Sequence, residues 1–212
     1  MIGNVPPASF QSLEKAAPCN SGAAPLHRAP EMNDGKQPCV FFDRDGIVNR
    51  DPHPKRYVEQ PDEFHIFPAF IESLRVANEK GFAAVVITNQ KGVGVGVMTQ
   101  QALDAIHAKL FAAIRDAGLK LHDLYFCTST DDAHPHRKPN PGMLLAAAQK
   151  HSLDLSRSWM IGDKERDITT GRRAGCKTVR VCLPEKLIKT PTAADFYLDS
   201  IEKLPDFLRE YL

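Results

Sequence analysis

The sequence predicts an α/β domain in which a parallel sheet is covered by helices on both faces. Three observations carry this reading. Apolar runs of strand length recur at residues 39–42, 82–88, 124–127, 159–161 and 177–181, and they are continuous rather than alternating, as in strands buried on both faces. Helical patterns of ordinary length separate them. Run after run also stops in hydroxyl, amide or carboxylate residues, at the sheet edge where open α/β folds bind ligands.

Residues 1–37 are rich in Pro, Ala, Ser and Gly and show no sustained period, so they are expected to form a mobile tail ahead of a domain at 38–212. The first strand, Cys39-Val40-Phe41-Phe42, breaks into Asp43-Arg44-Asp45-Gly46. Residues 46–66 carry too many prolines and charges for an ordinary helix and read as a loop able to fold over the strand end. Pro68 then opens an amphipathic helix with Phe70, Ile71, Leu74 and Ala77 on one face, closed by Lys80-Gly81. The second strand ends in Thr88-Asn89-Gln90. Lys91 to Gly96 has the spacing G-x-G-x-G, which is not the dinucleotide fingerprint, and is expected to be a flexible loop.

Thr99 reads as the N-cap of a long helix carrying Leu103, Ile106, Leu110 and Ile114, with His107 beside that stripe as a packed or solvated side chain. After the third strand, a polar loop over 128–140 ends at Lys138, and Pro141 starts a helix running to about His151. The fourth strand, Trp159-Met160-Ile161, stops at Gly162-Asp163, and a helix follows to Ala174-Gly175. A fifth strand at 177–181, a sixth at 196–198 and a closing helix near 201–210 complete the alternation.

Length and composition agree with one such domain. The 212 residues are 42% hydrophobic and carry a net charge of +1 with no dense basic block, which argues against a dedicated nucleic-acid or membrane-surface binder and leaves small anionic substrates. The five cysteines, at 19, 39, 127, 176 and 182, show no paired spacing, so reduced thiols and a cytoplasmic location are expected. No stretch approaches the roughly 18 apolar residues of a membrane span, and no signal-peptide pattern opens the chain. A soluble monomer is the expectation.

Four strand ends thus offer Asp43 with Asp45, Thr88 with Asn89, Lys138, and Asp163. Taken singly, each has an ordinary explanation: a turn, a strand-end cap, a solvated lysine, a carboxylate at a helix start. Together and in this order they suit the holding of a cation and a phosphoryl group. Two adjacent carboxylates repel unless a cation or shared proton separates them, and magnesium takes hard oxygen ligands. Asp43 is assigned as nucleophile on phosphorus, and Asp45 as the acid/base, a role that needs a carboxyl able to hold a proton near neutral pH. Asp163 would join Asp43 and the Asp45 backbone carbonyl around magnesium, while Thr88 and Lys138 take the phosphoryl oxygens.

These motifs resemble those of the haloacid dehalogenase superfamily of phosphatases over residues 39 to about 200, matching Asp43-Arg44-Asp45-Gly46, Thr88, Lys138 and Gly162-Asp163 with Asp167. The stretches Asp-Arg-Asp-Gly-Ile-Val-Asn, Ile-Thr-Asn-Gln, Arg-Lys-Pro-Asn-Pro-Gly-Met and Ile-Gly-Asp-Lys are similar to the branch holding heptose bisphosphate and histidinol-phosphate phosphatases. The resemblance implies a three-layer Rossmann-like fold with little or no cap domain, Asp167 as a weaker magnesium ligand or orienting group, and substrate contacts from Asp51, Asn89, Arg137 and Lys164. It also implies a small sugar phosphate as substrate, heptose bisphosphate first, because Arg137, Lys164, Lys55 and Arg56 suit a second phosphate better than a cationic amine. Histidinol phosphate ranks next, then a 3′-phosphorylated polynucleotide, for which stacking aromatics are lacking, then a silent phosphate-binding relative.

That branch often carries a zinc loop, written C-x-H and later C-x-C before Arg-Lys-Pro. Here the loop is shorter: Cys127 matches the first ligand, Ser129 replaces the expected histidine, and His134 and His136 stand in for the later pair. Three ligands, with water or Asp131 as a fourth, fall short of the four that structural zinc normally takes, so zinc is not expected.

Overall fold

The apolar runs become strands, and the register between them sets where each polar end lies. The computed structural model describes residues 8–9, 35–50, 57–182 and 192–212. Its strands are β1 (Ala8–Ser9), β2 (Gln37–Phe42), β3 (Ala83–Asn89), β4 (Asp123–Cys127), β5 (Leu153–Gly162), β6 (Lys177–Val181) and β7 (Phe196–Ser200). The helices are α1 (Pro68–Glu79), α2 (Lys91–Gly94), α3 (Gln100–Asp116), α4 (Gly142–His151), α5 (Glu165–Ala174) and α6 (Leu204–Tyr211). The sheet order is β1-β7-β6-β5-β2-β3-β4. Every pairing is parallel except that of β1 with β7.

The chain moves outward from β2 to β3 and β4, then crosses back to β5 and continues to β6 and β7. Right-handed crossovers in opposite directions put α1 and α3 on one face and α4 and α5 on the other. α6 packs on α1, and α4 touches α5. The reversal makes the gap between the ends of β2 and β5 the topological switch point. Asp43 follows β2 directly, and Asp163 follows β5.

Local chemistry fixes the helix ends. The Thr99 hydroxyl accepts the Ala102 N–H at 3.0 Å and starts α3, and Pro68 opens α1 at a position needing no N–H partner. Phe70, Leu74 and Ala77 of α1 are buried, as are Leu103, Ile106, Leu110 and Ile114 of α3. Trp159 anchors the far side of the core, with Phe207 edge-on at 5.6 Å and Phe196 at 5.6 Å.

Three expectations are corrected. Lys91–Gly94 is a single helical turn rather than a loop, closed by the Val95 N–H on the Lys91 carbonyl at 3.0 Å. β5 begins six residues before Trp159, at Leu153, because the register shift between Pro38 and Val40 is bridged by Ser158, whose hydroxyl accepts the Cys39 N–H at 2.9 Å. Within 1–37, Ala8–Ser9 pairs with Asp199 and Ser200 of β7, and Gln37 already belongs to β2. The remaining residues of that segment up to 34 lie outside the described residues, as do Asp51, Lys55 and Arg56. Between β2 and α1, the described residues hold one 3-10 turn, Pro61–Glu63.

Candidate active site

Asp43 leaves β2 with its N–H on the Ile161 carbonyl at 3.0 Å, so the neighbouring strand aims it into the switch-point crevice. There it meets Asp163 and Asp167: one carboxylate oxygen from each lies within 4.8 Å of the others, and all three residues are buried. Two glycines permit this crowding. Gly46 takes φ +95°, and a Cβ on it would lie 3.1 Å from Asp163 Cγ. A Cβ on Gly162 would lie 2.2 Å from Asp167 Cβ, so no side chain fits between the strand end and α5.

Two ammonium groups balance part of the charge. Lys138 Nζ sits 2.8 Å from Asp43 Oδ1 and 2.6 Å from Asp167 Oδ1, and Lys164 Nζ sits 2.7 and 2.6 Å from the two oxygens of Asp163. Three carboxylates against two ammoniums leave one negative charge over. Hard, anionic oxygens in this arrangement fit a magnesium ion and can hold one. Burial pushes the Asp43 carboxyl well above its ordinary value; Lys138 opposes this, and the charges of Asp167 and Asp163 add to it. For Asp167 burial also raises, but Lys138 and Arg166 outweigh it and the carboxyl is held low.

Asp45 is treated differently, and here the reading of a carboxyl that holds a proton near neutral pH is corrected. Its carboxylate stands outside the three-carboxylate group, clasped by Arg44 Nε and Nη2 at 3.1 and 2.7 Å, Asn49 Nδ2 at 3.2 Å and Gln90 Nε2 at 2.8 Å. Burial raises this carboxyl, but Arg44's charge and hydrogen bonds, then those of Gln90 and Asn49, bring it below its ordinary value. In this arrangement Asp45 is ionised at neutral pH instead of holding a proton. Arg44 is fully buried, its guanidinium 5.6 Å above the Phe64 ring.

Thr88 and Lys138 reach the same crevice from β3 and the loop before α4. Asn89, expected on the phosphate, instead clasps the Lys138 main chain: its Nδ2 donates to the Lys138 carbonyl and its Oδ1 accepts the Lys138 N–H, both at 3.0 Å. Lys164, expected on substrate, pairs with Asp163. Arg137 is held in its loop by Asp132 Oδ1 at 2.6 Å and the Ser129 carbonyl at 3.1 Å. Asp132 is drawn low by Arg137 first, then by Lys91 and Arg166, so four charged groups gather at this loop.

The suggested zinc set is not assembled. Cys127 Sγ and His134 Nδ1 lie 3.7 Å apart, but Cys127, His134 and His136 do not bring three ligand atoms within 4.8 Å of one another; among the described residues only the Asp43 group does. His134 Nδ1 accepts the His136 N–H at 3.2 Å, and Asn140 Nδ2 donates to the carbonyls of Asp132 and His134 at 3.1 Å each. Hydrogen bonds therefore tie the short loop together. His107 is packed, its ring 5.2 Å from Phe126 and its Nε2 without a hydrogen-bond partner among the described residues.

Sequence reasoning missed Arg44, Asn49 and Gln90 as a group. Each sits inside a motif quoted above, but residue type alone does not say which way a long polar side chain turns.

Comparison with known proteins bears on the family and the fold. The HAD-hydrolase-like family model matches residues 135–204. D-glycero-beta-D-manno-heptose-1,7-bisphosphate 7-phosphatase from Yersinia pestis is 32% identical over 81% of this chain and 95% of its own. The enzyme of that name from Helicobacter pylori is 35% identical over 76% and 90%. D,D-heptose 1,7-bisphosphate phosphatase from B. bronchiseptica, crystallised with magnesium and phosphate, superposes with a TM-score of 0.69 at 25% identity, covering 84% of this chain and 99% of its own.

Proposed function

The chain belongs to the HAD-like family of phosphatases, and we propose that it hydrolyses the 7-phosphate of D-glycero-D-manno-heptose 1,7-bisphosphate through an aspartyl-phosphate on Asp43, in the cytoplasm. The observation that carries this reading is the Asp43 carboxylate within 2.8 Å of the Lys138 ammonium, inside a crevice shared with Asp163 and Asp167. The relatives supply the substrate: their names specify the heptose bisphosphate and the phosphate removed.

Asp43 attacks phosphorus and forms a mixed anhydride, which splits one displacement into two. Lys138 and the Thr88 hydroxyl receive the phosphoryl oxygens, and Asn89 holds Lys138 in place through its main chain. Asp43, Asp163 and Asp167 would hold magnesium, which supplies positive charge for the nucleophile and the phosphoryl oxygens. Ionised beside Arg44, Asp45 is set to take the proton of the water that opens the anhydride. For the first step the carboxyl must leave the Arg44 pair and carry a proton to the sugar alkoxide. Arg137, with Lys91 and Arg166 about Asp132, gives the neighbouring loop the cationic character a second phosphate needs. The working domain is taken as 37–212, from the first residue of β2 onward.

Phosphate release from heptose bisphosphate, histidinol phosphate, simple sugar phosphates and a 3′-phosphorylated oligonucleotide, with magnesium and with chelator, tests the assignment. Magnesium-dependent preference for heptose bisphosphate is expected. Preference for histidinol phosphate would replace the substrate, and no release from any member would end the hydrolase reading.

A further inference from the structure

Gln90 has no part in the chemistry above, yet its side chain joins two groups that do. It follows Thr88 and Asn89 past the body of β3, is buried, and has its N–H on the Cys127 carbonyl at 2.8 Å. Its Nε2 lies 2.7 Å from Thr88 Oγ1 and 2.8 Å from Asp45 Oδ2.

Donor and acceptor chemistry decides what these contacts do. Asp45 is paired with Arg44 through Oδ1 at 2.7 Å, so it is a carboxylate and can only accept. The amide nitrogen, not its oxygen, must therefore face Asp45. That nitrogen carries two hydrogens, enough for both contacts. Thr88 Oγ1 then accepts from Gln90, and its single hydrogen is left to point into the crevice. A threonine without this neighbour is free to rotate and to offer a lone pair to the phosphoryl group instead.

We propose that Gln90 is a positioning residue for phosphoryl transfer, whose one amide nitrogen sets the Thr88 hydroxyl as a donor to the phosphoryl group and holds the Asp45 carboxylate at a fixed separation from it. This rests on the roles given above to Thr88 and Asp45.

The test compares the parent with Gln90→Leu, Gln90→Glu, Thr88→Val and Thr88→Val/Gln90→Leu on heptose bisphosphate with magnesium, alongside urea unfolding. Gln90→Leu is expected to lower kcat roughly 10- to 100-fold with KM within about threefold, while the variant still unfolds in a single cooperative transition. Gln90→Glu fills the same volume but only accepts; it turns the Thr88 hydrogen towards itself, repels Asp45, and should be no faster than Gln90→Leu. In the Thr88→Val background the Gln90→Leu loss should shrink by at least about threefold, because part of its target is gone. Parental kcat in Gln90→Glu, or the same fold loss in both backgrounds, would overturn the proposal while leaving the hydrolase reading intact. Thr88→Val as fast as the parent would remove Thr88 from the reaction and the proposal with it.

Discussion

Asp43 and Asp45 are separated by one residue and live in opposite electrostatic company. Asp43 is packed among like charges, with Asp163 and Asp167 close by and Lys138 as its direct partner, so its carboxyl is raised. Asp45 is met by donors instead: among the described residues a guanidinium and two amides hold it ionised. The residue between them makes the difference, since Arg44 turns inward and pairs its guanidinium with Asp45. Two identical side chains at one strand end are thereby given different work. In the proposed reaction the first is the nucleophile, which gains from any added cation, and the second is a base that must leave Arg44 to act as an acid.

The sharpest way to break this comparison is to remove each carboxylate. Asp43→Asn should lower kcat by roughly 10⁴-fold or more on every substrate. Asp45→Asn should lose about 10²–10⁴-fold on heptose bisphosphate, but much less in the first phosphoryl transfer from an aryl phosphate, whose leaving group needs no proton. Pre-steady-state release of the aryl alcohol checks this: a burst in Asp45→Asn and none in Asp43→Asn.

Arg44→Met attacks the clasp itself. A methionine fills much of the volume but leaves Asp45 without its charged partner, and urea unfolding should show a loss of about 3 kcal/mol. An unchanged midpoint would mean that solvent replaces Arg44 at little cost.

His107 lies on the Asp45 side, where burial first and the Arg44 charge second pull its pKa from 6.5 to about 3, against Asp45. The unfolded chain binds a proton at this residue below 6.5 and the folded one does not until about 3, so stability falls as pH drops through that window. The slope is about 1.4 kcal/mol per pH unit at most, and the contribution is intact above pH 7. His107→Leu should flatten that part of the stability–pH curve; a curve parallel to the parent's would count against the buried neutral ring.

The smallest effect is expected on the Asp43 side. Lys164→Met takes an ammonium off Asp163 and should tighten magnesium binding roughly threefold in calorimetric titration without substrate. Weaker binding would mean that Lys164 helps to shape the carboxylate group instead of competing for it.

Much of this was readable in the chain because it is local. Continuous apolar runs marked the strands, and a parallel sheet turns their ends into one edge, which brings Asp43, Thr88, Lys138 and Asp163 together from positions far apart in sequence. What stayed hidden depends on where a long side chain turns once it gets there. Nothing in Thr88-Asn89-Gln90 tells that the middle amide clasps Lys138 while the last one bridges Thr88 and Asp45. The ionised state of Asp45 likewise needs the inward turn of Arg44, which a pattern of residue types does not contain. The pairing of Ala8–Ser9 with β7 escaped notice because two residues carry no period.

The most direct test of the account is the fate of the phosphoryl group on Asp43. Enzyme turning over heptose bisphosphate with magnesium would be quenched in acid and its peptides mapped by mass. The account predicts a phosphoryl group on the peptide bearing Asp43 and neither adduct nor turnover in Asp43→Asn. Undiminished turnover in Asp43→Asn would contradict it.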